Sequence, residues 1–596
     1  MNKYEQMQSF QHLEGLNEQQ KEAVLCHADI LYVSAGPGTG KSTMLVSKLI
    51  DYIESSHDPQ KIVAISFTNT AARQIGDRFR KKVQKYGIMK EFSFFNGTIH
   101  SFCFRMMKSY CSDASKGFDY IILDDDELQE LSSEIQEHYE GRYSTAQILS
   151  CLRSVSWENS ELADGIKALK ESYKVISIQD ILTKFTAMLN QDEGFQRWIR
   201  KKVSVIAVDE AQDLSEMNYV ILDNLIRVIP GLKVLLVGDP RQNIFEFNGG
   251  SYKNLDEFLS RHQQHEKKHL TITYRCCQAI SDYVNTFQFS DCDNEQLQSR
   301  YADAGKVIVR NAMTEEEEAS QILRSIKAES NLNSCAVLSN NLKYMDLLID
   351  RLIEEKIPYK VFGGRKTIKK HIRFLNHILR ILDSDNAYSI RKIAQYAGID
   401  IMENGKRKKS LFFQSDLGRL ILSIREMTAG LSFIAVIAQV IARIMYDPDD
   451  SKDVRDDYDR LLEVAGEFDT ISDYLVAFAT DKDKFAPFFQ KTYKECPYPN
   501  EQEYLTLSTI HSAKGLEWKH VFIIGLCEGN FPNPFFCQGM PLEKQEEFFN
   551  GEWKKMYVAS TRAKESLVLS YPSSIKRKGY TFKKLPSRFI QSFTTN

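Results

Sequence analysis

The sequence predicts an α/β protein in which two units with parallel sheets are each interrupted by a mainly helical insertion. Short runs that are apolar throughout occur in two series along the chain, and such runs are typical of parallel strands covered on both faces. Each series is split by a long helical stretch without comparable strands. With 596 residues the chain is also too long for one core, because domains usually hold about 100 to 200 residues.

The first unit begins with a strand at residues 30–33, a glycine-rich loop and a helix at residues 44–53. Further strands are predicted at residues 62–67, 203–208 and 234–237. Between them, residues 110–175 are charged and helical in pattern. We therefore assign residues 1–109 and 176–270 to the first unit and residues 110–175 to its helical insertion.

The second unit shows the same organisation. Its strands are predicted at residues 307–309, 335–338, 359–362, 505–508, 521–524 and 567–570. Helical stretches at residues 386–496 split this series. The prediction is a second unit of residues 271–385 and 497–596, with its helical insertion at residues 386–496.

Composition excludes several classes of protein. The chain has 77 Lys and Arg against 80 Asp and Glu, so a histone-like binder is excluded and any nucleic-acid contact needs a local basic stripe. Eleven cysteines without zinc spacing favour a reducing compartment, and we expect the protein in the cytoplasm. The most apolar run, residues 427–442, is shorter than a membrane span of about 20 residues, which favours a buried helix and no membrane contact.

The glycine-rich loop has the residues of a phosphate site. Its glycines let backbone N–H groups point at anionic oxygens, Lys41 would neutralise the β- and γ-phosphates, and the Ser42 hydroxyl would ligate Mg²⁺. The strict pattern has glycine where this chain has Ala35. The predicted ATP-binding residues of the loop are Ala35, Gly36, Pro37, Gly38, Thr39, Gly40, Lys41, Ser42 and Thr43.

Two acidic residues follow the predicted strand at residues 203–208. Asp209 and Glu210 would lie at the carboxyl end of that strand, beside the phosphate loop. Asp209 would hold Mg²⁺, while Glu210 would orient and deprotonate the attacking water. The pair and the loop together predict an enzyme that hydrolyses ATP with Mg²⁺.

Further segments occur in a recognisable order. They read LNEQQKEAV at residues 16–24, FTNTAA at 67–72, GTIHSF at 97–102, VGDPRQNIFEFNGG at 237–250, TYR at 273–275, TIHSAKGLEW at 509–518 and YVASTRAK at 557–564. With the phosphate loop and the acidic pair, they resemble the motifs of the UvrD/Rep/PcrA family of superfamily 1 DNA helicases. The resemblance implies two RecA-like motor domains with one ATP in the cleft between them.

The resemblance also implies roles for single residues around ATP. Lys41, Asp209, Glu210 and Gln242 would form one wall of the cleft, with Gln242 sensing the γ-phosphate. Arg275 and Arg562 would reach the γ-phosphate from the other wall. Around the nucleoside, the implied contacts are Gln20 with the adenine edge, Tyr274 with the adenine face and Glu517 with the ribose.

For DNA, the resemblance implies translocation from 3′ to 5′ on single-stranded DNA and action at junctions with duplex. The implied DNA-binding residues are Thr68, Asn69, His100, His511 and Phe247. The family commonly has Trp-Arg-Gly where this chain has Phe247, Asn248 and Gly249; phenylalanine can still stack on a base. Basic stretches at residues 365–373, 405–409 and 576–584 would either contact the DNA backbone or form solvated faces.

Three functions remain open from the sequence. The leading one is an ATP-dependent DNA helicase. The second is a translocase that strips proteins from DNA or senses DNA ends without unwinding. The third is a DNA-stimulated ATPase subunit that regulates a partner nuclease or another repair or defence protein, for example in phage defence.

Overall fold

The described residues form two six-stranded parallel sheets, each associated with a helical region. The computed structural model describes residues 11–55, 57–86, 94–116, 118–153, 161–244, 252–301, 305–364, 366–403, 406–481, 484–491, 493–500, 502–577 and 580–591. The predicted stacking residue Phe247 lies outside these ranges.

The N-terminal part of the chain builds the first sheet and the first helical region. The first elements are α1 (Glu18–Val24), β1 (Ile30–Ala35), α2 (Lys41–Glu54), β2 (Ile62–Ile65), α3 (Asn69–Lys85), β3 (Phe95–Gly97) and α4 (Ile99–Asp113). The helical region follows with β4 (Ile121–Ile122), α5 (Asp125–His138), α6 (Thr145–Arg153), α7 (Glu161–Tyr173) and β5 (Val175–Ile176). The sheet resumes with α8 (Ile178–Gln191), α9 (Glu193–Lys202), β6 (Val205–Asp209), α10 (Glu216–Val228), β7 (Lys233–Gly238), α11 (Tyr252–Arg261) and β8 (Glu266–Leu270).

The C-terminal part repeats this plan. It begins with β9 (Ile272–Thr273), α12 (Gln278–Asn285), β10 (Gln298–Ser299), β11 (Lys306–Ala312), α13 (Glu315–Lys327), β12 (Cys335–Ser339), α14 (Asp346–Glu354) and β13 (Tyr359–Phe362). The second helical region contains β14 (Lys366–Ile368), α15 (Lys370–Ser384), α16 (Ala387–Tyr396), β15 (Met402–Glu403), β16 (Lys406–Arg407), α17 (Lys409–Gln414), α18 (Asp416–Thr428), α19 (Phe433–Val440), α20 (Lys452–Ala465), α21 (Ile471–Thr480) and β17 (Phe489–Lys491). The last elements are β18 (Leu505–Thr509), β19 (Trp518–Ile523), α22 (Leu542–Ser560), β20 (Ala563–Pro572), β21 (Ser574–Arg577) and β22 (Tyr580–Lys583).

Both large sheets are parallel at every neighbouring pair of strands. The strand order is β3–β2–β6–β7–β1–β8 in the first sheet and β11–β20–β19–β12–β18–β13 in the second. Alternate residues of one strand enter different cores: Tyr32 packs on one face of the first sheet, and Leu31 and Val33 pack on the other. A strand buried on both faces must be apolar throughout, which is why the sequence shows continuous apolar runs.

The predicted α/β class with two parallel sheets is confirmed, and strands occur at each predicted position. The edge strands β3 and β8 were not among the predictions. The run at residues 427–442 was predicted as a buried helix, but α18 ends at Thr428 and α19 begins at Phe433. Gly430 between them has a φ angle of +78°, which a helix interior does not allow. None of the helices within the described ranges is long and apolar enough to cross a bilayer.

The predicted limits of the domains stay a prediction. The apolar core of the second helical region includes Ile372, Leu375 and Ile378 of α15, together with residues as far along the chain as Phe489. This core therefore draws on residues that precede position 386.

The two helical regions meet through an ion-pair network, which we call the insertion contact. The acidic helix α5 supplies the carboxylates, and α15 and α16 supply the cations. The pairs are Arg373 with Asp126 (3.0 Å) and Glu130 (2.6 Å), Arg380 with Glu127 (2.5 Å), Lys392 with Glu130 and Glu134 (2.9 Å each), and Arg391 with Glu134.

Within this contact, Glu127 and Arg380 are the most buried pair, with side chains 2% and 9% exposed. Replacing Glu127 with Gln leaves the Arg380 charge buried without its partner, a change that typically destabilises by about 3–5 kcal/mol. We expect Glu127→Gln to lower the midpoint of the first thermal unfolding transition, measured by differential scanning calorimetry. Asp416→Asn is the control, because that carboxylate pairs with Arg419 while fully exposed at 100%. Equal midpoints for both variants would contradict a stabilising role for the insertion contact.

Candidate functional site

The carboxyl ends of three neighbouring strands meet at one edge of the first sheet. β7 lies between β1 and β6. β1 leads into the glycine-rich loop, β6 ends at Asp209, and β7 leads into the segment with Asp239 and Gln242. Ligands of open parallel sheets bind in crevices at this edge. The structure therefore brings these predicted site residues to one place.

The glycine-rich loop has a backbone that requires glycine at two positions. Gly38 and Gly40 have φ angles of +71° and +80°. A Cβ at Gly38 would lie 2.4 Å from the Cβ of Arg275, and a Cβ at Gly40 would lie 2.4 Å from Nε2 of Gln20. Gly40 is also the N-cap of α2, whose first residue is Lys41. The loop thus presents a helix N-terminus and a lysine together, which is the arrangement that binds phosphate.

The remaining loop residues support this backbone. Ala35 is the last residue of β1, and Ser42 and Thr43 follow Lys41 in the first turn of α2. The Thr39 hydroxyl donates to the Gly36 carbonyl at 2.8 Å. Thr39 is fully buried, so it braces the loop from within.

The segment Thr273–Arg275 lies directly on the loop. The Thr273 hydroxyl donates to the Pro37 carbonyl at 2.8 Å, and the backbone N–H of Tyr274 donates to the Gly38 carbonyl at 2.8 Å. The segment follows β8 of the first sheet by only a few residues. The chain therefore leaves the first sheet over the phosphate loop.

Gln20 and Tyr274, the predicted adenine contacts, are connected through Asn17. Gln20 donates from Nε2 to the Thr39 carbonyl at 2.9 Å, and its Oε1 accepts from the Asn17 backbone at 3.0 Å. The Tyr274 hydroxyl accepts from Nδ2 of Asn17 at 3.0 Å, and Tyr274 is 39% exposed. Both residues thus lie at the margin of the loop, and their contact with adenine stays a prediction.

The acidic pair Asp209 and Glu210 differs in electrostatics. Burial and the charge of Glu210 raise the pKa of Asp209 above its usual range. Burial also disfavours the Glu210 charge, but the positive charges of Lys41 and Lys514 outweigh it and lower the pKa of Glu210. Glu210 is therefore the member of the pair that ionises more readily. Its φ angle of +56° is uncommon for a non-glycine residue, and such backbones concentrate at functional sites.

Gln242 connects the two sides of the cleft. Its Nε2 donates to Oδ2 of Asp239 at 2.9 Å, and its Oε1 accepts from Nη2 of Arg562 at 3.2 Å. Asp239 directly follows β7 of the first sheet, and Arg562 directly precedes β20 of the second. The side chain predicted to sense the γ-phosphate therefore touches Arg562, which was predicted to reach the same phosphate.

Arg562 is 2% exposed, and its guanidinium donates to the carbonyls of Val558 (2.9 Å) and Leu516 (3.3 Å) in addition to Gln242. Burial and the nearby charge of Arg275 lower the pKa of Arg562. Among the described residues, none forms an ion pair with Arg562. A buried cation without an anion is unfavourable, so this site favours an anionic ligand.

Arg275, the second predicted arginine, is already paired. Its Nε lies 2.6 Å from Oε2 of Glu517, and Oε1 of Glu517 lies 2.7 Å from Nζ of Lys564. Glu517 was predicted to contact the ribose. In the structure its carboxylate holds two cations at the cleft instead, and a ribose contact stays a prediction.

Lys514 and Asp213 form a contact across the cleft that the sequence did not predict. Nζ of Lys514 lies 2.5 Å from Oδ2 of Asp213 and donates to the Gln242 carbonyl at 2.7 Å. Burial raises the pKa of Asp213 to about 6, although Lys514 opposes this effect. Lys514 stands inside the segment at residues 509–518, and Asp213 follows Glu210 by three residues, but only the assembled fold shows that they meet.

One predicted DNA-binding residue of the first unit, Asn69, contacts the second helical region. Thr68 caps α3 by accepting from the Ala71 backbone N–H at 3.2 Å. Asn69 donates from Nδ2 to the Thr480 carbonyl at 2.5 Å. Four residues along α3, Arg73 pairs with Asp481 at 3.0 Å. Arg73 thus adds a positive charge to the surface where α3 contacts the end of α21.

The two predicted DNA-binding histidines are partly buried. Burial lowers the pKa of His100 to about 4, and burial together with the charge of Lys555 lowers the pKa of His511 to about 4. His511 also bonds to the backbone of Ile244, beside the segment with Gln242. Both rings are neutral at neutral pH, so any contact they make with DNA is through hydrogen bonds or stacking and not through charge.

Comparison with known proteins places the chain in a family. The model of the UvrD/REP helicase N-terminal domain matches residues 16–172 and 156–263. The model of the UvrD-like helicase C-terminal domain matches residues 268–409 and 437–574. These matches cover both sheets and the cleft between them.

Curated relatives align along nearly the whole chain. The protein is 25% identical to DNA helicase II of Haemophilus influenzae and 25% identical to DNA helicase II of Escherichia coli; each alignment covers 97% of this chain and 87% of the relative. It is 24% identical to the ATP-dependent DNA helicase PcrA of Staphylococcus aureus, over 97% of this chain and 86% of the relative. From its parallel sheets, its phosphate loop and these matches, the chain belongs to the UvrD/REP helicase family.

Proposed function

We propose that this family member is an ATP-dependent motor that moves from 3′ to 5′ along single-stranded DNA and unwinds duplex at junctions. The observation that carries the proposal is Arg562, a guanidinium buried across the cleft from the phosphate loop without an ion-pair partner among the described residues. A γ-phosphate would supply the missing anion. The polarity is supported by family membership alone.

The cleft fits ATP with Mg²⁺. Gly38 and Gly40 leave no room for a Cβ, so N–H groups of the loop can approach phosphate closely. Ser42 and Asp209 have the hydroxyl and carboxylate that hold Mg²⁺ in such sites, and the ion would neutralise charge on the phosphate oxygens. The raised pKa of Asp209 implies that a cation at this position would favour its ionised form.

Glu210 is the proposed general base. Its lowered pKa keeps it ionised, and Nε2 of Gln212 donates to its Oε2 at 2.6 Å, which orients the carboxylate. An ionised, oriented carboxylate can accept the proton of an attacking water. Gln242, Arg275 and Arg562 would meet the γ-phosphate, and arginine suits this role because its planar fork binds phosphate oxygens in pairs.

Hydrolysis would be coupled to movement through closure of the cleft. Lys41 and Glu210 belong to one wall, and Arg562 belongs to the other. A γ-phosphate that binds both walls stabilises the closed state, and its loss favours opening. If DNA is held by both units, alternation between the two states moves one grip relative to the other.

A hairpin near the C-terminus fits contact with duplex or unpaired bases. β21 and β22 pair antiparallel, with Ile575 opposite Phe582 and Lys576 opposite Thr581. Tyr580 and Phe582 are 72% and 49% exposed. Exposed rings beside lysines are the combination that stacks on bases and contacts phosphates.

The first test measures ATP hydrolysis with and without single-stranded DNA, and strand displacement on a duplex with a 3′ tail. We expect DNA to stimulate hydrolysis and Glu210→Gln to lower it by about 100-fold to 10,000-fold, the usual contribution of a general base. Glu216→Gln, an exposed residue in the first turn of α10, is the control and should retain activity. DNA-stimulated hydrolysis without displacement would favour the translocase or the partner-dependent subunit. Hydrolysis indifferent to DNA would refute the motor.

A second test concerns the surface around Asn69. Asp481→Asn removes the negative charge opposite Arg73 and so raises the net positive charge that this surface offers to a phosphate. We expect tighter binding of an oligothymidine and a plot of log affinity against log salt that is steeper by about 0.7, the value for one added phosphate contact on a single strand. Glu467→Gln removes a charge of the same region that pairs with Lys484, and it should change neither quantity. Unchanged affinity and slope in Asp481→Asn would place the DNA elsewhere.

A further inference from the structure

Arg241 lies between Asp239 and Gln242, and none of the roles above belongs to it. It is 4% exposed, in the short turn Pro240–Gln242. Oδ1 of Asp239 accepts from the Arg241 backbone N–H at 3.1 Å and from its Nε at 2.9 Å. The side chain is thereby held at the end of β7, beside the proposed γ-phosphate sensor.

From this turn the guanidinium reaches three other parts of the protein. Its Nη1 donates to the carbonyl of Glu295, in the segment before β10. Its carbon Cζ lies 5.0 Å from the ring centroid of Tyr557 on α22. A Cβ at Gly36 would lie 3.3 Å from Nη2, so the phosphate loop passes beside it. One buried cation therefore contacts both walls of the cleft.

These contacts close a ring of interactions around the cleft. Asp239 binds Arg241 through Oδ1 and Gln242 through Oδ2, and Gln242 binds Arg562. Arg562 is tied to the end of α22, where its Nε donates to the Val558 carbonyl at 2.9 Å. Tyr557 immediately precedes Val558 and lies under the guanidinium of Arg241. Arg241 is thus linked to Arg562 in two ways: through Asp239 and Gln242, and through Tyr557 and Val558.

The electrostatics of Arg241 and Arg562 are opposite. Burial disfavours the charge of Arg241, but Asp239 outweighs burial and raises the pKa of Arg241. No carboxylate among the described residues forms an ion pair with Arg562, and burial with the charge of Arg275 lowers its pKa. The charge of Arg241 is therefore already balanced by Asp239 and needs no phosphate. The charge of Arg562 would be balanced by one.

We propose that Arg241 is a positioning residue that aligns Gln242 and Arg562 with each other across the cleft and does not itself bind the nucleotide. The inference rests on the proposed function, because it assigns Gln242 and Arg562 to the γ-phosphate. Arg241 acts through these two residues. Its loss lowers kcat, while KM for ATP, which depends on the phosphate loop, changes little.

The test uses Arg241→Lys in the full chain. Lysine keeps the charge beside Asp239 but loses the planar fork that reaches Glu295 and the flat face that stacks on Tyr557. We expect kcat of DNA-stimulated hydrolysis to fall about tenfold or more, with KM for ATP within about twofold of the wild type. A raised KM with unchanged kcat would overturn the proposal, because it would make Arg241 a binding residue.

Double variants separate positioning from general damage. Hydrolysis is then measured with radiolabelled ATP in an Arg562→Ala background. There Arg241→Lys should lower kcat by less than about twofold, because Gln242 no longer has Arg562 to be aligned with. An equal fold-loss in both backgrounds would overturn the proposal. If calorimetry shows that Arg241→Lys does not fold, Tyr557→Leu takes its place, because it removes the aromatic ring under the Arg241 guanidinium. The fold-losses in the two backgrounds are then compared in the same way.

The chain offers a matched control on the same helix. Arg588 pairs with Glu528 through Nε (3.1 Å) and Nη2 (3.0 Å), and its Cζ lies 4.0 Å from the ring centroid of Phe549 on α22. Arg588→Lys therefore changes the same kind of contacts away from the cleft, and kcat should stay unchanged. An equal loss in Arg588→Lys would overturn the proposal by showing that any loosening of α22 suffices. If the wild-type chain shows no DNA-stimulated hydrolysis, the proposed function fails first, and the two failures are thus distinguished.

Discussion

The cleft depends on one buried guanidinium, that of Arg562, which forms no ion pair among the described residues. Arg562 lies between the two sheets, where its charge is poorly solvated, and neutral oxygens of Val558, Leu516 and Gln242 surround it. Such a site is unfavourable until an anion enters it. Asp213 pairs with Lys514, and Glu517 pairs with Arg275 and Lys564. Glu210 is near enough for its charge to favour the charged form of Arg562, but no ion pair joins the two among the described residues. In the proposed function this cation would meet the γ-phosphate, and the closed position of the two sheets would depend on what occupies the cleft.

Much of the fold could be predicted because burial on both faces of a sheet leaves a continuous apolar run in the sequence. β1, β6 and β7 were found in this way. The edge strand β8 was not, because its sequence EKKHL is exposed or half-buried except at Leu270 and carries no such run. For the run at residues 427–442, the prediction of one helix was wrong although the sequence is apolar. It is apolar enough for one helix, but the left-handed backbone at Gly430 divides it.

The candidate site likewise has parts that the sequence predicts and parts that it does not. The phosphate loop and the pair Asp209 and Glu210 could be predicted because their geometry is local to one strand and the turn that follows it. The contact of Lys514 with Asp213 joins residues 301 positions apart, and the contact of Arg241 with Tyr557 also spans the two sheets. Such contacts depend on how the sheets come together, which no local pattern encodes. The acidic sequence of α5 likewise predicted a helix but not its basic partners on α15 and α16.

The path of the chain over the phosphate loop has a mechanical consequence. β8 is the last strand of the first sheet, and within a few residues the backbone of Tyr274 bonds to Gly38. The segment that connects the two units thus lies beside the glycine-rich loop, where the proposed function places the phosphates of ATP. In a rigid rotation, displacement grows with distance from the pivot. A rotation about this point would therefore move the residues at the phosphate loop by a bond length or two and move residues farther from it by more, so a small change at the nucleotide would be amplified with distance from the loop.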